Sequence, residues 1–167
     1  MKGIIFGFVF AVMQMVPGTL AQVPRPSSAQ EGQKLPVRLI FSPDKIQVLS
    51  DSDPALTITW INDSDQTVWC DSTLSTSGVD KQYTYAIRTV DGKTVPRVRD
   101  IGDPYPESPC ALGSGASMKL PVGHLMRVFD MKRPRVYTVQ LSLPDNDHPG
   151  RIRGKSNILT VTVKAPE

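Results

Sequence analysis

Apolar and polar residues alternate with a period of two in one short run after another, and Pro, Gly, Asn or Asp ends each run. Leu56, Ile58 and Trp60 take one side of such a run, with Thr57, Thr59 and Ile61 on the other. Val37, Leu39 and Phe41 alternate before the break at Ser42-Pro43, and Ile46 and Val48 continue after it. Tyr83, Tyr85 and Ile87 form a third set, Met118, Leu120 and Val122 a fourth, Val136 to Leu143 a fifth, and Leu159, Val161 and Val163 the last. Two is the side-chain period of an extended strand, whereas a helix repeats every 3.6 residues. Short strands with a turn signal roughly every ten residues predict an all-β chain, as an antiparallel β-sandwich or, second, a sheet closed into a barrel. The 15 prolines and the lack of a long helical period agree with that class.

The punctuation adds detail. Asp91-Gly92 predicts a two-residue type I′ hairpin turn, whose central residues both need positive φ. The returning run, Thr94 to Val98, contains Pro96, which cannot donate to a ladder and so predicts an edge strand. Arg99 to Ser117 reads as one long Gly/Pro/Ser-rich connection, and connections of that length usually carry function or are disordered. Gly123 to Pro134 fits either a helix, from the spacing of Leu125, Val128 and Phe129, or a strand with a crossing turn. Leu143 to Lys155 reads as a polar loop.

The first residues place Lys2 ahead of an apolar stretch that ends near Val16, followed by Thr19, Leu20 and Ala21 at small-x-small spacing. This predicts a signal peptide over 1–21, a Pro/Ser-rich leader over 22–34 and a domain over 35–167. Gln14, Pro17 and Gly18 interrupt the apolar stretch well short of the roughly 20 residues a membrane span requires. Secreted or periplasmic localisation follows. In an oxidising compartment the chain's two cysteines, Cys70 and Cys110, are expected to form one disulfide. Closing a loop of about 40 residues stabilises the fold by roughly 4 kcal/mol in the chain-entropy treatment. A net charge of +3 is too small to argue for nucleic acid.

Three stretches carry a resemblance: Asn62, Ser64 and Asp65 after the Trp60 strand, PRVYTVQL from Pro134 to Leu141, and SNILTVTV from Ser156 to Val163. Together they resemble uncharacterised secreted bacterial proteins built of a single immunoglobulin-like domain. The resemblance implies an immunoglobulin-like β-sandwich of about 7–9 strands, with Trp60 in the core and Tyr137 at a tyrosine corner. Arg135 stands where the pattern usually has Gly, and Val139 stands where an antibody domain has its second Cys. Cys70 and Cys110 are therefore a different staple. The family brings no assigned activity.

Candidate chemistry is sparse. Asp51-Ser-Asp53, Asp63-Ser-Asp65 and Asp145-Asn-Asp147 could offer carboxylates to calcium. An EF-hand loop opened at Asp63 would need Gly and Glu where Val68 and Leu74 stand, so the clusters read as turns and no metal or cofactor is expected. Asn62-Asp63-Ser64 matches the N-glycosylation sequon. His124 and His148 are the only imidazoles, and Ser114 in GSG lacks the strand-turn-helix setting of a nucleophile elbow. No catalytic residue is assigned, and a hydrolase stays a minor alternative. Arg151, Arg153 and Lys155 form a candidate basic loop for an anionic glycan or surface. Asp103, Tyr105 and Glu107 form a candidate binding loop in the Pro-stiffened stretch before Cys110, with Trp69 beside it either exposed or covered.

The expected function is that of a secreted, non-enzymatic interaction module. Its partner would be an extracellular protein or a cell-surface glycan. The alternative is an extracellular peptidase inhibitor that inserts the disulfide-pinned loop 99–117.

Overall fold

The computed structural model describes residues 35–70, 78–102 and 110–167. The signal peptide and leader expected over 1–34, and Asp103, Tyr105 and Glu107 of the expected binding loop, lie outside the described residues. The alternating runs are strands: β1 (Val37–Ile40), β2 (Lys45–Leu49), β3 (Leu56–Asn62), β4 (Val68–Cys70), β5 (Thr84–Thr89), β6 (Cys110–Leu112), β7 (Ser117–Gly123), β8 (Arg135–Pro144), β9 (Ile152–Ser156) and β10 (Leu159–Lys164). Between β7 and β8 lies one helical turn, α1 (Leu125–Val128). Among the described residues no helix is long and apolar enough to cross a membrane.

One mixed sheet runs in the order β2-β10-β8-β9-β1-β3-β7, with β5 on the other side of β8, and β4 and β6 form a separate pair. Most pairs are antiparallel as expected, but β1 with β9 and β2 with β10 are parallel. Parallel neighbours cannot be joined by a hairpin. Here they are the first and last segments of the domain, connected through everything between them. Both segments bend at the same level. Asn157 holds the bend: its Oδ1 accepts the Phe41 N–H at 2.8 Å, and its Nδ2 donates to the Phe41 carbonyl at 3.2 Å. Beside it the Ser156 hydroxyl accepts the Leu141 N–H at 2.9 Å, tying the same bend to the middle of β8.

The inward residues of both halves of the sheet meet in one buried cluster that includes Leu39, Ile58, Trp60, Val122, Ile87, Tyr137, Leu141 and Val161. Each fully buried aliphatic side chain there contributes about 1.5–3 kcal/mol. Trp60 is completely buried, and its Nε1–H donates to the Tyr83 hydroxyl at 2.8 Å, which satisfies the one polar atom of the indole. The Tyr137 hydroxyl donates to the Arg133 carbonyl at 3.0 Å, closing the corner that leads into β8.

Several expectations change. Arg99 to Ser117 is not one unbroken connection, because Cys110–Leu112 within it is strand β6, paired with β4 through the disulfide, and the described residues hold ten strands where about 7–9 were expected. Thr94 to Val98 is no continuous strand: it touches its neighbours through isolated bridges from Thr94 to Arg88 and from Arg97 to Phe129. At Asp91-Gly92 only the glycine has positive φ, 82°, so the turn is not type I′. The Gly92 N–H donates to the Thr89 carbonyl and the Thr89 N–H to the Lys93 carbonyl, both at 2.9 Å. That is the pattern of a type I turn closed by a left-handed glycine. The helical alternative is the one realised after Gly123, with Leu125, Met126 and Val128 of α1 buried. Finally, Arg153 and Lys155 lie in strand β9 and not in a loop, because Gly154 is packed against β1: a Cβ there would stand 2.9 Å from the Val37 carbonyl oxygen.

Candidate functional site

The two ends of the β3–β7 pair hold different arrangements, and the first is built on β4 and β6. Cys70 pairs with Cys110, Trp69 with Ala111 and Val68 with Leu112. Cys70 and Cys110 form a disulfide with their Cα atoms 5.0 Å apart, within the range such a bond needs. Val68, Cys70 and Leu112 point into the core. Alternation then sends Trp69 outward, and the indole is 65% exposed. Ala111 directly opposite and the following Gly113 and Ser114 are exposed as well.

The turn after β3 fixes this hairpin to the main sheet. Asn62 is fully buried, and its side-chain amide uses every valence it has. Nδ2 donates to the Gln66 carbonyl at 2.7 Å and to the Leu112 carbonyl at 2.8 Å. Oδ1 accepts the Ser64 N–H at 2.9 Å and the Ser64 hydroxyl at 2.7 Å. The Ser114 hydroxyl donates to the Ser64 carbonyl at 2.7 Å, and the backbone of Asn62 exchanges bonds with Gly115 and Ala116. Asp63 faces Arg38 on β1, accepting from Nε at 2.9 Å and from Nη2 at 3.2 Å. The Asn-Asp-Ser cluster is thus a latch whose polar atoms are consumed by the fold. Its Asn carboxamide is not available to a sugar-transferring enzyme in the folded chain.

At the other end, Asp51, Asp53, Arg99, Arg127, Phe129 and Lys132 line a cleft of about 290 Å³. The Asp53 carbonyl accepts from His124 Nδ1 at 2.7 Å, which places the imidazole proton on Nδ1. Arg127 Nε donates to Asp53 Oδ2 at 2.6 Å, while Oδ1 is buried without a partner. Gly78 and Gly123 cross beneath this group, and the His124 N–H donates to the Gly78 carbonyl at 2.9 Å. His148 stands in the exposed 145–148 turn, its Nδ1 3.1 Å from Asp145 Oδ2. Desolvation pushes the Asp145 carboxyl upward, but the Asp147 N–H and His148 outweigh it and hold the group below its ordinary value. Among the described residues neither imidazole bonds a hydroxyl or thiol nucleophile, and no three His, Cys, Asp or Glu side chains are grouped to hold a metal.

The chain matches no family model, and no curated protein matches it.

Of the residues singled out in the sequence, the fold brings Cys70 and Cys110 together with Trp69 and places Trp60 and Tyr137 inside. The basic set is divided: Arg151 and Lys155 are exposed, whereas Arg153 is half-buried with its Nε–H lacking a partner. A second buried group escaped notice. Asp80 is fully buried, its carboxylate accepts the Gln82 N–H at 2.9 Å, and its carbonyl accepts the Tyr85 hydroxyl. From Tyr85 the rings continue in two directions, to Tyr83 at 6.3 Å and to Phe129 at 5.6 Å. Arg97 lies 5.9 Å above the Phe129 ring. Desolvation, with Asp80 adding to it, pushes both tyrosine hydroxyls far above the usual phenol range, so they serve as neutral hydrogen-bonding groups.

Proposed function

We propose that the chain is a secreted, non-enzymatic interaction module that recognises its partner through the outer face of the disulfide hairpin. One observation carries this: Trp69 is 65% exposed on a two-stranded element held by a disulfide, by the Asn62 amide and by Ser114. Tryptophan is the residue most enriched among binding hot spots. A rigid support reduces the ordering cost of association.

An immunoglobulin-like sandwich is the fold proposed for this module. The Tyr137-to-Arg133 bond has the form of a tyrosine corner, and β8 lies between β5 and β10 in the order expected for such a sheet. The disulfide supports export, because such bonds persist in oxidising compartments. The signal peptide over 1–21 and a bacterial source belong to the same proposal.

Retention tests this function. The mature chain, immobilised and exposed to the extracellular fraction of its source, should retain a partner that the Trp69→Ala variant loses. Equal retention by a folded Trp69→Ala protein would overturn the assignment.

Peptidase inhibition is the second reading. Of the described residues on either side of 103–109, Val98 donates its N–H to the Val128 carbonyl at 2.7 Å and Cys110 is held by the disulfide. Titration against serine, cysteine and metallo-peptidases at micromolar excess decides it, and no inhibition removes this reading.

A further inference from the structure

Resting on the binding-module proposal, we infer that the outer face of the β4–β6 hairpin binds a neutral pyranose unit of a glycan, stacked on Trp69. Ala111 lies directly across from Trp69, and continuing the alternation one residue beyond each strand puts the exposed Thr67 and Gly113 on the same face. Each of these described neighbours is small, and Trp69 is 65% exposed beside them. An aromatic anchor for a protein partner sits inside a ring of contacts that excludes water, and the described neighbours Thr67, Ala111 and Gly113 form no such ring. A pyranose needs only one flat apolar surface beneath its C–H face, with polar groups around the edge.

The edge is polar and uncommitted. Among the described residues the indole Nε1–H of Trp69, the Thr67 hydroxyl and the Gln66 carboxamide have no intramolecular hydrogen bond, and Gln66 and Thr67 are exposed. Together they offer donors and acceptors in the mixture a set of sugar hydroxyls requires. Charge selects further. Among the described residues Arg38 is taken by Asp63, and the exposed Asp65 is the charge that precedes Gln66 and Thr67. A carboxylate accepts from hydroxyls and repels sulfates, phosphates and uronates, so the complementary glycan is uncharged.

The chain contains two tryptophans, and Trp60 is buried, so changes in emission on adding a sugar report Trp69. The oxidised mature protein is titrated with neutral hexasaccharides (β-1,4-glucan, xylan, mannan and chitin series) and with heparin as the anionic control. At least one neutral series should shift the emission saturably, with no response to heparin. In titration calorimetry, which does not depend on the indole as reporter, Trp69→Ala should abolish binding, Trp69→Phe should keep part of it, and Gln66→Ala or Thr67→Ala should weaken affinity by about tenfold, in line with the loss of one hydrogen bond to a bound ligand. Retention on the matching insoluble polysaccharide would mark a surface polymer as the source, and binding of the hexasaccharide alone a free oligosaccharide. No response to any neutral series, or a response to heparin alone, overturns the inference. If the sugars fail while Trp69→Ala still loses a protein partner in the retention experiment, the inference falls and the binding-module proposal stands.

Discussion

Asn62 Nδ2 and the carbonyl of Leu112 are joined by a 2.8 Å hydrogen bond across a separation of 50 residues. Through it the turn after β3 holds the hairpin that carries the disulfide. The same amide fills all four of its hydrogen-bonding positions. Removing it leaves the buried Leu112 carbonyl without its donor, while the Gln66 carbonyl keeps only the Ser64 hydroxyl at 3.1 Å. Asn62→Ala should destabilise the protein by about 2–3 kcal/mol. Asn62→Asp should be worse, because a carboxylate oxygen would face those two carbonyls. Urea unfolding of the three proteins checks the order, and an Asn62→Asp variant as stable as wild type contradicts the latch. Expression in a glycosylating host adds a second check: folded material should carry no glycan at Asn62.

The disulfide makes a parallel contribution. Alkylation of unreduced protein should find no free thiol, and the Cys70→Ser, Cys110→Ser double variant should lose about 4 kcal/mol. The hairpin should nonetheless stay docked in that variant, since the Asn62 and Ser114 bonds remain. Near-ultraviolet dichroism of the buried Trp60 would report this, and loss of its signal under conditions where the chain is still folded would show that the disulfide alone holds the hairpin.

Two glycines with positive φ separate backbone freedom from close packing. Gly92 has φ 82° with nothing within 4 Å of where a Cβ would lie, whereas at Gly123, φ 93°, a Cβ would stand 1.9 Å from the Gly78 carbonyl oxygen. Gly92→Ala should cost about 1 kcal/mol, the conformational penalty alone. Gly123→Ala must also push apart two crossing backbones beneath His124, and should exceed about 3 kcal/mol. Similar losses at the two sites, measured by thermal unfolding, would refute the crossing.

Alternation was legible wherever burial has two sides: every second residue from Ile58 in β3, from Tyr137 in β8 and from Leu159 in β10 is buried, as the period-two pattern predicts. The disulfide was legible because two cysteines allow one pairing. Trp69 was half-legible, since parity with an inward Cys70 sends it outward, yet nothing local says whether another segment covers it. The parallel pairs were not legible, because register between the first and last segments depends on a bend fixed by Asn157 and Phe41, 116 residues apart. Gly154 misled in the same way. Glycine amid charges looks like a loop, but here it admits the close approach of Val37. The latch role of Asn62 was hidden because Leu112 is remote in sequence, and an Asn-Asp-Ser cluster looks the same whether it is solvated or buried.

Alkaline pH should expose the tyrosine network. Burial raises the hydroxyls of Tyr83 and Tyr85 far above the ordinary 10.0, and burial also raises that of Tyr137, by less. Below pH 10 these groups are neutral in both the folded and unfolded chain, so their contribution to stability is fully present. Above pH 10 the unfolded chain releases their protons and the folded chain does not. Stability therefore falls with rising pH, by about 1.4 kcal/mol per pH unit for each tyrosine that stays neutral in the fold. Tyr83→Phe should flatten that alkaline slope by one tyrosine's share. At neutral pH the same substitution should cost about 1–3 kcal/mol, because the buried Trp60 Nε1–H loses its acceptor. Urea unfolding between pH 7 and 11, read alongside phenolate absorbance, tests both effects. Phenolate from Tyr83 and Tyr85 should appear only together with unfolding. Their gradual ionisation in a protein that stays folded would show that the Trp60–Tyr83–Tyr85 network is open to water.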